Sequence, residues 1–83
     1  MVTSRQVRAA RALLGWTQEM LADKALVALT ALKRLESEND MAVRDDTRHQ
    51  VVKALESAGI EFIDSARGHG VMFLDKSRPP PPK

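Results

Sequence analysis

The chain has no cysteine among its 83 residues. Disulfide scaffolds, cysteine zinc sites and thiol catalysis are therefore excluded. It also lacks any apolar run near the roughly 18 residues that a membrane span requires. The opening Met1-Val2-Thr3-Ser4-Arg5 carries no apolar core of a signal peptide, so a cytoplasmic protein is expected. There is no internal repeat. Two histidines, His49 and His69, fall short of a metal site without cysteine to join them, and no metal is expected. No nucleophile–base constellation and no cofactor loop is present, so neither an enzyme nor a cofactor is expected. Arg67-Gly68-His69-Gly70 could be taken for a phosphate loop, but it lacks the lysine and following helix that the mechanism needs.

What is present fits one small soluble domain. At 9.2 kDa, with 43% hydrophobic and 29% charged residues, the chain can build one modest core. The net charge is only +2, but its distribution is uneven. Up to Arg34 the cations are Arg5, Arg8, Arg11, Lys24, Lys33 and Arg34, against Glu19 and Asp23. From Leu35 to Asp64 the acids Glu36, Glu38, Asp40, Asp45, Asp46, Glu56, Glu61 and Asp64 outnumber Arg44, Arg48 and Lys53. A basic N-terminal half can face a polyanion, and an acidic middle can be a solvated face.

Helical periodicity dominates the first two thirds. Ser4 is read as the cap of a helix to Leu14, with Val7, Ala10 and Leu14 on one face and Gly15 as its stop. Thr17 caps a second helix, Gln18 to Ala25, with Leu21, Ala22 and Ala25 inward; Trp16 and Leu21 make a hydrophobic staple. A third runs from about Ala28 to Ser37, with Leu32 and Leu35 inward, and Glu38-Asn39-Asp40 reads as a turn. Asp45 or Asp46 caps a fourth, whose inward face is Val51, Val52, Leu55 and Ala58. Gly59 ends it, with Ile60 folding back on Leu55. Adjacent residues at a helix start do not face one another, so the two aspartates read as a cap and not as a catalytic pair.

After Gly59 the pattern changes. Ile60–Ile63 and Val71–Leu74 are β-prone, and the seven residues between them, 64–70, are turn-rich, so the segment reads as a β-hairpin. The four prolines 79–82 make 76–83 a disordered tail. The expected domains are thus 1–59 for the helices, 60–75 for the hairpin and 76–83 for the tail.

Two short helices joined by the turn Leu26–Ala28, the second bearing cations, have helix-turn-helix spacing. The run Ala12-Leu13-Leu14-Gly15-Trp16-Thr17-Gln18-Glu19-Met20-Leu21-Ala22-Asp23-Lys24-Ala25, followed by Val27 and Leu32-Lys33-Arg34-Leu35-Glu36, resembles the Xre/Cro family of phage-repressor-like DNA-binding domains. The resemblance spans Arg5 to Gly59. It implies a mainly α fold, a lambda-repressor-like helix-turn-helix bundle of four to five short helices, here followed by the β-hairpin. It implies a transcriptional regulator that binds duplex DNA, with the helix from Ala28 in the major groove.

The resemblance marks Gln18, Leu29, Thr30 and Arg34 as DNA contacts, and Thr17, Ala28, Lys33 and Arg44 are added to that surface. Arg34 can fork onto guanine O6 and N7, Thr30 can bond a base or phosphate, and Ala28 or Leu29 can meet a thymine methyl. Gln18, at a helix start, can meet a phosphate. The same resemblance pairs Arg11 with Glu36 as a structural ion pair. It also places a glycine-favouring, left-handed position at Leu26 and a serine or threonine cap at Ala28. A left-handed leucine costs about 1–2 kcal/mol, and a missing cap about 1 kcal/mol.

Plainer uses compete for several of these residues. Leu29 can be a core residue of a slightly rotated helix. Lys33 and Arg34 can be a solvated face, although within the motif DNA is the better reading. Trp16 reads as core or staple, His49 as surface and His69 as loop. The hairpin carries apolar residues on both faces, Ile60, Phe62, Ile63, Val71, Met72, Phe73 and Leu74, so it is expected to form a twofold homodimer. The alternative to the regulator is a protein-interaction module on the same scaffold, an antitoxin or an antiactivator gripping another regulatory protein. Neither a membrane nor a small-molecule substrate is expected as a partner.

Overall fold

The computed structural model describes residues 2–37 and 43–74. Within them lie α1 (Ser4–Leu14), α2 (Gln18–Ala25), α3 (Leu29–Glu36) and α4 (Asp45–Ser57), followed by β1 (Ile60–Ser65) and β2 (Gly68–Phe73). The predicted turn at 38–40 and the proline tail at 76–83 lie outside the described residues. No described helix is long and apolar enough to cross a membrane.

The core collects one stripe from each helix: Val7 and Ala10, then Leu21, Ala22 and Ala25, then Leu32 and Leu35, then Val51 and Leu55. Ile60 closes it from the first position of the hairpin. Trp16, Val27 and Leu29 are partly buried against its rim. Val52 and Ala58 reach only half-burial, so the inward face of α4 is narrower than its periodicity predicts.

Both aspartate-based and serine-based cap assignments are corrected. Thr3, not Ser4, caps α1. Its Oγ1 accepts from the Gln6 N–H at 3.2 Å, and the Gln6 Oε1 accepts from the Thr3 N–H at 2.9 Å. Thr3, unlike Ser4, has a glutamine three residues on, and that reciprocal pair satisfies two donors at once. For α4 the cap position is Arg44, whose side chain bonds no backbone N–H there. Asp45 and Asp46 fall one and two steps later, in the first turn, where a carboxylate still meets the positive end of the helix.

The hairpin is tighter than the sequence suggests. Its antiparallel register runs from Ile60 opposite Phe73 to Ser65 opposite Gly68, leaving Ala66 and Arg67 as the turn. Asp64, Ser65, Gly68, His69 and Gly70 are poor strand formers, but cross-strand pairing overrides weak propensity. His69 Nδ1 lies 2.9 Å from Asp64 Oδ1 directly opposite, and the Ser65 hydroxyl accepts from the Arg67 N–H at 3.2 Å. Ile60 is buried, and Phe62 and Val71 pack on the core. Ile63, Met72, Phe73 and Leu74 stay 41–43% exposed.

Gln6 fixes the hairpin to α1. It is 4% exposed, and its Nε2 donates to the carbonyls of Ile63 at 3.0 Å and Gly70 at 2.9 Å. Those two residues are partners in the ladder, so one amide spans both strands.

Candidate nucleic-acid interface

Helices α2 and α3 are joined by three residues, Leu26, Val27 and Ala28. The α2 helix closes on itself before the turn. The Val27 N–H donates to the Ala22 carbonyl at 3.0 Å and the Leu26 N–H to that of Asp23 at 3.3 Å. This double closure requires a left-handed residue between helix and exit. Leu26 supplies it, with φ 58° and ψ 43°. The turn therefore carries the leucine strain that the resemblance implies, and the side chain is 83% exposed.

Ala28 follows as the cap of α3 with no side-chain hydrogen bond. The first N–H groups of α3 thus meet no capping oxygen from position 28. The inner face of α3 buries Leu32, Leu35 and Glu36. The outer face exposes Ala28, Thr30, Lys33 and Arg34. Arg34 makes no ion pair among the described residues. It lines a small hollow with Ala31, Val43, Arg44 and Thr47, so the fold sets an arginine of α3 and the arginine at the cap of α4 at one hollow. Arg44 is 84% exposed and lies 3.4 Å from Asp46 Oδ1, itself 67% exposed. Such a surface pair is worth little and leaves Arg44 free to change partners.

Not every candidate lies on this rim. Leu29 is half-buried and packed against the core, so most of its methyl surface is already used. Thr17 spends its hydroxyl on capping α2, accepting from the Met20 N–H at 3.1 Å. Gln18 is half-buried, and its Nε2 donates to Glu36 Oε1 at 3.2 Å. One amide hydrogen remains, since a glutamine carries two.

Glu36 is the hub beneath this surface, at 3% exposure. Arg11 meets it with two bonds, Nε to Oε2 at 2.9 Å and Nη2 to Oε1 at 2.9 Å. The Arg11 Nη1 donates in turn to the Trp16 carbonyl at 3.1 Å. Arg8 Nη1 reaches the backbone carbonyl of Glu36 at 2.7 Å. A buried carboxylate is tolerable only when fully hydrogen-bonded, and here two other helices satisfy it, α1 through Arg11 and α2 through Gln18. Sequence reasoning missed Arg8 and Gln6. Gln6 gave a signal, three residues after a threonine, but its hold on the hairpin spans 57 and 64 residues of sequence. Arg8 gave none beyond its charge.

Among the described residues no group of three or more His, Asp or Glu could hold a metal ion. No curated protein matches the chain at a significant level. A helix-turn-helix family model of the Cro/C1 type matches residues 7–57, from within α1 to the last residue of α4. That span is more than half of the chain and contains the two helices, their turn and the ion pair just described. The chain belongs to the Cro/C1-type helix-turn-helix family of DNA-binding regulators.

Proposed function

We propose that the chain is a sequence-specific transcriptional regulator that reads the major groove of duplex DNA with the helix over 28–37, as a twofold homodimer. One observation carries the reading: α3 buries Leu32, Leu35 and Glu36 while Thr30, Lys33 and Arg34 stand exposed, Arg34 at one hollow with Arg44. Side chains held on a rigid, core-anchored helix are pre-positioned for base edges. Arg34 is the base reader, able to fork onto guanine. Ala28 offers a methyl to thymine. Lys33, Arg44 and the remaining amide hydrogen of Gln18 serve phosphates, which orient the helix without reading sequence. Thr17 contributes by holding the start of α2 in place.

The hairpin supplies the twofold. Ile63 and Met72 share the outer face of the hairpin, Phe73 and Leu74 stand exposed at its open end, and a two-stranded sheet has edges that invite pairing. Ile60, Phe62 and Val71 act from beneath as its attachment to the core. Two such chains would set their reading helices on half-sites about 34 Å apart.

Selection from random duplexes, followed by titration at several salt concentrations, tests the first part. Affinity should fall steeply as salt rises, because phosphate contacts release counterions. Arg34→Ala should weaken binding by about 1–3 kcal/mol and relax preference at one base pair. Duplex binding that is absent, or indifferent to salt, would leave the protein-interaction alternative instead. Light scattering of the Met72→Lys, Leu74→Lys double variant tests the second part. It should run as a monomer, and a persisting dimer would take the hairpin out of that role.

A further inference from the structure

Leu26 is costly twice over. It is the non-glycine residue with positive φ among those described, and it exposes 83% of a large apolar side chain. The left-handed backbone closes α2 with two hydrogen bonds, which a glycine would allow without the strain, and the core leaves the side chain uncovered. An observed backbone outlier of this kind points to a function for the side chain it carries.

Leu26 lines an open cleft of about 510 Å³ between the C-terminal end of α2 and the outer face of α4. The volume falls within the roughly 300–1,000 Å³ of ordinary ligand clefts. Trp16, Ala25, Leu26, Ala54 and Ala58 supply its apolar lining. Its charged lining residues are both cations, Lys24 and Lys53. Lys24 lies over the Trp16 ring, its Nζ 5.4 Å from the centroid. Neither Asp23 on α2 nor Glu56 on α4 lines the cleft. None of the residues proposed to read DNA lines it either.

We propose that this cleft is a second binding surface, for a segment of a partner protein bearing one large apolar side chain flanked by carboxylates. The apolar side chain would pack on Trp16 and Leu26, and the carboxylates would meet Lys24 and Lys53. The choice of an acidic occupant rests on charge complementarity, with cations at an apolar floor and no acid among the lining residues. The regulator would then hold DNA with α3 and a partner with α2 and α4. This goes beyond the DNA reading and does not depend on it.

Panning a displayed library of random nine-residue peptides on the full chain tests the proposal. Enriched peptides should carry a leucine, isoleucine or aromatic residue beside aspartate or glutamate. In fluorescence anisotropy, Leu26→Gly and Lys53→Glu should each weaken them at least tenfold, and Arg34→Ala should leave them unchanged. Leu26→Gly should at the same time raise the melting temperature, because glycine relieves the left-handed strain. Leu26→Asn, which also tolerates that conformation, should lose the peptides with the fold intact. Peptides without acid, peptides indifferent to Leu26→Gly, or peptides copying residues 60–74 of this chain would overturn the proposal. So would a loss of binding in Arg34→Ala, or a lowered melting temperature in Leu26→Gly.

Discussion

The chain turns from α1 to α2 and from α2 to α3 by the same backbone device, furnished differently. At the first junction the Gly15 and Trp16 N–H groups donate to Ala12 and Arg11; at the second the Leu26 and Val27 N–H groups donate to Asp23 and Ala22. The left-handed residue is Gly15 at φ 70° in one and Leu26 at φ 58° in the other. Thr17 then caps α2 with its hydroxyl, whereas Ala28 caps α3 with nothing. Arg11 ties the first junction at the Trp16 carbonyl; among the described residues no side-chain hydrogen bond holds residues 26–28. Hydrogen bonding alone therefore dictates the shape of both turns. Residue identity dictates only what each turn costs, and the costlier one leads into the helix proposed to read DNA.

The comparison breaks hardest at Arg11. Arg11→Ala removes both bonds to Glu36 and the tie to Trp16, leaving a carboxylate of 3% exposure short of its main partner. The expected loss is about 3–5 kcal/mol in thermal or denaturant unfolding. Exchanging the charges, Arg11→Glu with Glu36→Arg, should recover part of what either single change loses. A melting temperature unmoved by the single changes would show that the first junction does not depend on this lock.

A smaller effect separates the two left-handed positions. A Cβ at Gly15 would meet no atom within 4 Å, so Gly15→Leu tests backbone strain without a clash at the Cβ. It should cost about 1–2 kcal/mol. Leu26→Gly should gain somewhat less, because glycine also loosens the unfolded chain. The double exchange should then come close to wild type. If Gly15→Leu proves harmless, strain is not what distinguishes the junctions, and the exposed leucine loses its meaning as an outlier.

These residues also show where sequence reasoning succeeds and where it stops. The helices were legible because apolar spacing, Gly15 and Thr17 act within a few residues of one another. The fold class was legible because local signals recur at family spacing. Caps slipped by one residue at Ser4 and at Asp45–Asp46, where the neighbouring position offers similar chemistry. The hairpin turn was misjudged because strand pairing, a non-local interaction, recruited weak strand formers. Leu29 was ambiguous because half a turn of rotation decides between core and surface. Gln6 was invisible in its larger role, since nothing near position 6 foretells carbonyls at 63 and 70.

The smallest expected effect lies at the caps, and it decides how much of the second junction's cost belongs to Ala28. Its backbone already has the extended cap conformation, φ −66° and ψ 141°, close to that of Thr17 at φ −78° and ψ 168°. Ala28→Ser would therefore place a hydroxyl within reach of the Ala31 N–H, as Thr17 reaches that of Met20, without moving the chain. A gain of about 0.5–1 kcal/mol follows, and in a domain of this size that is a rise of several degrees in Tm. Thr17→Ala should lose about as much. Slower amide exchange at Ala31 in Ala28→Ser would locate the gain at the cap. A rise in Tm without it would mean that the hydroxyl acts elsewhere, and the cost of the second junction would then rest on Leu26 alone.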